Sequence, residues 1–378
     1  MFVLVAKNIG FGNGAALSAL DVLLSMGQLG YDVKLIYSYK KNIPYKLDGK
    51  KIKYSNSFFS PREIDTNKKN SIKEISNKIL KPYLLYRLKN IKPKMVLVNS
   101  MGSHSLWKPI KEKFNWPSTL IIRESPNLYK NLNTVLDRFK YYDYFIFVSD
   151  ITKKKWLELN IIDKNKCYYI PNCIHEEKIN LISKFSKLSI KNKLFGTNKN
   201  FICICVGEIK YRKGQDLIIN KLLEICTFVP NFKLVLIGRA NKNFIKKINN
   251  ILIKLNLQNR VKIIGHCENA IDFIYASDVL LQPSRSEALP RTIIEAMALK
   301  TPIIASDVDG IPELVKDNES AILFNLLDIN KMVSGIRRLY QDESYRDILI
   351  KNAFNKYKKF YLRKNHIHNY SRFFKNFL

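Results

Sequence analysis

At 378 residues, with 46% hydrophobic and 12% aromatic residues, the chain is too long for one ordinary core and rich enough to bury two, which excludes a single small module and a wholly disordered chain. Sixty-four Lys and Arg against 32 Asp and Glu give a formal charge of +32, a balance that suits nucleic acid, an anionic membrane surface or a polyanionic substrate. Lys, Asn and Ile are abundant together, as AT-rich coding would give, so charge alone names no partner.

The apolar run "FVLVA" predicts a first strand, and "NIGFGNGAAL" leads from it into a helix. Gly10, Gly12 and Ala15 fit G-x-G-x-x-G/A, the glycine pattern of dinucleotide-binding turns. A nicotinamide enzyme also wants an acid at the end of the second strand. That strand ends "LIYSYKK", and no carboxylate follows it, although Lys40 or Lys41 would suit a 2′-phosphate. An NADP-dependent oxidoreductase using this loop therefore stays as an alternative. The start lacks a basic n-region and its apolar run is too short for a signal peptide, and no run approaches the ~20 residues of a spanning helix. A cytoplasmic protein is expected.

Further strands are predicted at "DVKLIYSY", "KMVLVNS", "STLIIRES", "DYFIFVS" and "KCYYIPN". Between them, residues 66 to 92 hold eight basic residues against the single acid Glu74, with isoleucines and leucines at helical spacing. A solvated helix face explains this run, and a surface helix on anionic lipid is the functional alternative. Residues 174 to 200 lose strand character and read as a connector. A second series follows: "FICICVG", "FKLVLIG", "RVKIIGH", "DVLLQPS", "TPIIASD" and "SAILFN". Two successive doubly wound α/β domains are expected, residues 1–180 and 181–355, with a C-terminal helix over 356–378 packing back on the first.

No C-x-x-C occurs among the six cysteines, and Cys203 and Cys205 share one strand face, so buried free thiols are expected rather than a metal site. The tail from Lys351 holds eight basic residues and no acid, with aromatics three or four apart, which argues for helices docked by an aromatic stripe. His366 and His368 within it are expected to be exposed.

Chemistry concentrates in the second half. In "VGEIKYRKGQDLII" a basic loop joins a strand to a helix, so Arg212 and Lys213 stand beside Gly214 where helix amides already favour an anion. Two cations there suit a diphosphate, although a solvated basic loop is as good a reading. In "LLQPSRSEALPRTIIEAMALKTPIIASDVDGIPELV", Glu287 follows a strand, Pro290 suits the first turn of the next helix, and Glu295 lies about two turns into it. Carboxylates accept hydrogen bonds from hydroxyls, so two acids above a sheet edge are able to grip a sugar and a ribose.

The ordered run of "VG…RKG", "PSRSE", the two glutamates with seven residues between them, "EAMALKTPIIASD" and "GIPELV" resembles the retaining glycosyltransferases of family 4. The resemblance covers most of the chain and is strongest from 201 to 315. It implies the GT-B fold, two doubly wound Rossmann-like domains with a cleft between them. It implies that Lys213, helped by Arg212 and Gly207, meets the donor diphosphate, that Glu287 holds sugar hydroxyls and that Glu295 holds the ribose. The amides of Ala288 and Leu289 would help carry the charge of the leaving nucleotide, Gly265 and His266 would lie against the base, and Gly12 and Gly14 would give close backbone approach from the first domain. "IPN", with Pro171 and Asn172, matches the end of that domain.

Two departures stand out. Glu208 occupies a position where the family often has arginine. Arg123 and Glu124 follow "TLII" where many members have a histidine, so the acceptor-side candidates are Asn99, His104, Arg123 and Glu124. The implied reaction is metal-independent transfer, with retained configuration, from a nucleoside-diphosphate-sugar to a hydroxyl of a glycan or lipid-linked acceptor, in surface polysaccharide assembly. No cofactor and no metal are expected; Asp307 and Asp309 in "SDVDG" belong to a loop that is structural in the family. Partners would be the nucleotide-sugar, the acceptor and an anionic membrane surface on the inner face of the cell membrane, with no nucleic acid. A basic nucleic-acid-binding protein is the rival, and no recognition-helix, zinc or aromatic-sheet motif supports it.

Overall fold

The computed structural model describes residues 1–9, 14–40, 57–58, 82, 85–129, 131–174 and 176–377. They form two compact units, the first from Met1–Asn172 with Lys364–Leu378 and the second from Cys173–Arg363. The division falls after Asn172 of "IPN" rather than after residue 180, and the return to the first unit falls at Lys364 rather than at 356.

In the first unit the described strands are β1 (Phe2–Ile9), β2 (Val33–Lys40), β3 (Ser57–Phe58), β4 (Val96–Val98), β5 (Ser118–Ile122), β6 (Tyr144–Phe147) and β7 (Cys167–Tyr169). All pair in parallel in the order β3-β2-β1-β4-β5-β6-β7, with Val3 opposite both Val33-flanking Lys34 and Val96. Burial on both faces explains why β4 and β5 read as unbroken apolar runs. Six strands lie at the six predicted runs; β3 is two residues long and carries no periodicity to read. Most of the basic run at 66–92 lies outside the described residues.

The tail aromatics divide between the units. Tyr357 and Tyr361 are buried in the second, where the Tyr361 hydroxyl donates to the Glu313 carbonyl. Helix Arg363–Lys375 and the residues just after it bring Tyr370, Phe373, Phe374 and Phe377 to the first unit. Phe374 packs on Phe2 and Tyr31 at ring-centroid distances of 4.6 and 5.2 Å, Phe373 on Tyr168 at 4.8 Å and Phe377 on Tyr144 at 4.6 Å. Such ring pairs add to the burial of their area. His366 is not exposed as expected: it is 5% accessible, and its Nδ1 lies 2.8 Å from Ser25 Oγ. The register of the stripe explains this, since His366 precedes the buried Tyr370 by one helical turn. His368 is exposed.

In the second unit β8 (Phe201–Val206), β9 (Phe232–Ile237), β10 (Val261–Ile264), β11 (Val279–Gln282), β12 (Ile303–Ser306) and β13 (Ile322–Phe324) make a parallel sheet ordered β10-β9-β8-β11-β12-β13. Cys203 and Cys205 face one core, and burial pushes the Cys205 thiol up to about 12. The expected connector is two helices, Glu176–Ile182 and Lys187–Phe195, built into this unit. Lys191 reaches Asp278 Oδ2 at 2.6 Å, and the same oxygen accepts from the Ile202 amide at 2.7 Å.

Both sheets share one consequence. Strand order reverses between β1 and β4 and between β8 and β11, so connections leave to opposite sides and open a crevice at the carboxyl ends of those strands. Arg212, Lys213 and Glu287 follow β8 and β11; Asn99 follows β4.

Candidate functional site

The loop after β8 reaches its cations through two glycines. Gly207 has φ +143°, and the Lys213 side chain runs across it, so that an added Cβ would touch Lys213 Cε at 3.4 Å. Gly214, at φ +70°, closes the Tyr211–Lys213 turn and starts helix Gln215–Asn220. Its neighbour in space is the Pro283 carbonyl, 1.7 Å from where a Cβ would sit, so this turn and the loop after β11 are in backbone contact.

That contact brings the charges together. Lys213 Nζ donates to Glu287 Oε1, Arg212 Nη1 to the Ser286 carbonyl at 2.6 Å, and the same nitrogen lies 3.5 Å from Glu287 Oε2. Gln282 Nε2 and Ser284 Oγ, each at 3.0 Å, also donate to Glu287 Oε1. Glu287 is 7% accessible. Burial alone would raise its pKa; the Lys213 and Arg212 charges outweigh burial and hold the carboxyl below the usual carboxylate range. Asp309 fixes the turn from behind, its Oδ2 accepting from Ser286 Oγ (2.5 Å) and from the Glu287 amide (3.2 Å). Glu208, one of the two departures noted above, pairs with Lys210.

Pro290 is the N-cap residue of helix Arg291–Ala298, and Glu295 is its fifth residue, closer to the start than two turns. Glu295 is 8% accessible. Lys178, from helix Glu176–Ile182, lies within electrostatic reach of Asp272, Glu268 and Glu295; burial lowers its pKa and these carboxylates oppose the shift. Sequence reasoning missed Lys178, because it lies more than a hundred residues upstream among other connector lysines. It missed Gln282 and Ser284 for another reason: both are uncharged and only their aim at Glu287 marks them. Ala288 and Leu289 are buried between Glu287 and the helix N-cap. Gly265 and His266 form an exposed loop after β10, where the Gly265 carbonyl accepts from the Gly238 amide at 3.0 Å.

In the first unit, Gly14 is exposed at the start of helix Gly14–Gln28, and Gly12 lies outside the described residues. Asn99 and Arg123 come together. The Arg123 guanidinium donates to the Asn99 carbonyl (3.0 Å), Asn99 Oδ1 (2.9 Å) and Asn172 Oδ1 (2.8 Å), while Asn99 Nδ2 donates to the Ala15 carbonyl at 2.9 Å. Glu124 turns the other way: its Oε2 accepts from the Arg123 amide at 3.3 Å, and its carbonyl accepts from Trp156 Nε1 at 2.9 Å.

His104 is not brought to this group by any of its contacts. It is 8% accessible, with Nδ1 3.0 Å from the Tyr142 hydroxyl and its ring edge-on to Tyr141. Burial, with the Arg138 and Lys108 charges, pushes its pKa from 6.5 down to about 4. A group whose folded pKa is depressed in this way is protonated first in the unfolded chain. Its contribution to stability is therefore complete above pH 6.5 and is lost as the pH falls from 6.5 towards 4. The expected result is that His104→Gln flattens the pH dependence of the urea midpoint in that window and leaves it unchanged above.

Residues 186–356 match the model of the family described as glycosyl transferases group 1. An uncharacterized glycosyltransferase of Methanocaldococcus jannaschii is 32% identical over 171 residues, covering 45% of this chain and 41% of that protein. The UDP-Gal:alpha-D-GlcNAc-diphosphoundecaprenol alpha-1,3-galactosyltransferase of Escherichia coli is 28% identical over 199 residues, 52% of this chain and 50% of the other. This chain thus spans half or less of the length of either curated relative. Over the full length of both chains, the crystal structure of Anabaena HepE in complex with UDP and glucose superposes with a TM-score of 0.82 at 17% identity, a likeness of fold. These findings favour neither the nicotinamide nor the nucleic-acid alternative. Residues 186–356 are thus similar to the glycosyl transferases group 1 family, and the two doubly wound units have the GT-B fold.

Proposed function

We propose that this protein transfers a sugar from a nucleoside-diphosphate-sugar donor to a hydroxyl of a glycan or lipid-linked acceptor, with the anomeric configuration retained. The observation that carries the reading is the buried Glu287 carboxylate held between Lys213 and Arg212 at the switch point of the second sheet. Two cations against one carboxylate leave local positive charge for a diphosphate, and Glu287 keeps acceptor capacity for sugar hydroxyls.

In this reading the bond from the anomeric carbon to the diphosphate lengthens while the acceptor hydroxyl enters on the same face. The departing phosphate oxygen takes the acceptor proton. Lys213, Arg212 and the Ala288 and Leu289 amides stabilise the charge that gathers on the leaving group, so no metal is required. Glu295 holds the ribose, with Lys178 balancing its buried charge. The Escherichia coli relative, a transferase from UDP-galactose to a diphosphoundecaprenol-linked sugar, supports the donor and acceptor classes proposed here. Surface polysaccharide assembly at the inner face of the cell membrane follows from that support and from the +32 charge. Among the described residues no helix is long and apolar enough to cross a membrane.

Thermal stabilisation by UDP, GDP and ADP tests the donor site. One of the three at ~100 times its Kd should add about 2.7 kcal/mol to the stability of the second unit, and Glu295→Ala should abolish the gain. Stabilisation by none of them, or a gain indifferent to Glu295, would remove the reading.

A further inference from the structure

Arg285 lies in the loop after β11, between Ser284 and Ser286. Its Nη1 donates to the Tyr211 carbonyl at 2.5 Å and to Asp216 Oδ1 at 2.8 Å, and its Nη2 donates to Asp216 Oδ2 at 2.8 Å. The guanidinium also covers the Tyr211 ring, 3.7 Å from its centroid, and the Arg285 amide donates to the Arg212 carbonyl at 2.8 Å. Asp216 is the second residue of helix Gln215–Asn220 and is 5% accessible.

One residue therefore grips the cation-bearing turn at three points: the residue before the cations, the carbonyl between them and the helix just after them. A bidentate guanidinium–carboxylate pair fixes orientation as well as distance. The pair is also neutral, since Asp216 cancels the Arg285 charge, so Arg285 adds no counter-charge for an anion. Its contribution is placement. Within the turn, the Lys213 amide donates to the Lys210 carbonyl and the Gly214 amide to the Tyr211 carbonyl, and Gln215 Nε2 ties its far end to the Glu208 carbonyl at 3.2 Å.

We propose that Arg285 is a positioning residue of the diphosphate site, setting through Tyr211, Arg212 and Asp216 where the Lys213 and Arg212 charges stand. The inference rests on the donor-site reading above. Displacement of a charge by ~1 Å in such a site is enough to cost up to about 10²-fold.

The test is calorimetric affinity for UDP, GDP and ADP in three full-length proteins. These are the unaltered chain, Arg285→Lys, and the charge-balanced double variant Arg285→Met with Asp216→Asn, which leaves no buried carboxylate without its partner. The tightest-binding diphosphate should bind about tenfold more weakly to both variants while their ligand-free unfolding midpoints stay close to the parent's. In a Lys213→Met background, Arg285→Lys should add less than about twofold, because the charge it places is gone. In a Glu295→Gln background the tenfold loss should persist in full. Full diphosphate affinity in both variants, or equal losses in the two backgrounds, would overturn the assignment and leave the donor site standing. An unaltered chain that binds none of the three would overturn the donor reading, and Arg285 with it.

Discussion

Lys213→Met is expected to lower kcat by about 10²–10³-fold with a nucleoside-diphosphate-sugar donor, the usual cost of removing one preorganised partner of a leaving-group charge. Lys213 is held over Gly207 and against Glu287, so its ammonium stands in one place before any ligand arrives. The loss should fall mainly on kcat, because the charge on the bridging oxygen grows as the bond breaks. Lys213→Arg should recover part of it, since the charge returns on a differently shaped head. A secondary effect follows from the sign of the shift at Glu287. With Lys213 gone, Arg212 and the Ser284 hydrogen bond oppose burial with less force, and the Glu287 carboxyl titrates at higher pH. The acid limb of the variant's kcat profile should move up accordingly. Unchanged kcat under donor saturation would place the counter-charge elsewhere.

Gly214→Ala is expected to destabilise the second unit by about 3 kcal/mol or more, through overlap and backbone strain together. The new Cβ would lie 1.7 Å from the Pro283 carbonyl oxygen, which belongs to backbone and is not free to swing away. Gly196 separates the two causes. Its φ of +73° nearly equals the +70° of Gly214, yet nothing lies within 4 Å of a Cβ there. Gly196→Ala should therefore cost only the strain of the left-handed conformation, about 1 kcal/mol. Urea midpoints of the two variants measure the difference, and equal midpoints would show that the loops yield at Pro283. Gly214→Ala should also lose donor affinity, since the turn it closes carries both cations.

The strands were legible because a parallel sheet buried on two faces leaves unbroken apolar runs, such as "FICICV" and "STLII". Lys213, Arg212 and Glu287 stood out in the sequence as charges after strand ends and through the family resemblance, and the structure brings the three together. The other partners of Glu287 did not stand out. Gln282 and Ser284 carry no sequence signal, and Lys178 comes within electrostatic reach of Asp272, Glu268 and Glu295 because a helix that reads as a connector packs beside helix Ala270–Ala276. His366 shows the opposite error. A histidine in a basic tail reads as solvated, yet the aromatic stripe four residues on turns it towards Ser25.

The return of the last helix to the first unit makes that unit discontinuous in the chain, whereas the second is one unbroken segment. On the ribosome, Phe2 and Tyr31 emerge before the second unit, and Phe374, the ring they share, emerges after it. The second unit has all its residues in hand before the first can close its aromatic cluster. Vectorial synthesis thus reverses the order that the numbering suggests: the second unit is complete in sequence before the first, and a nascent chain that ends at Arg363 carries a whole second unit and an unfinished first.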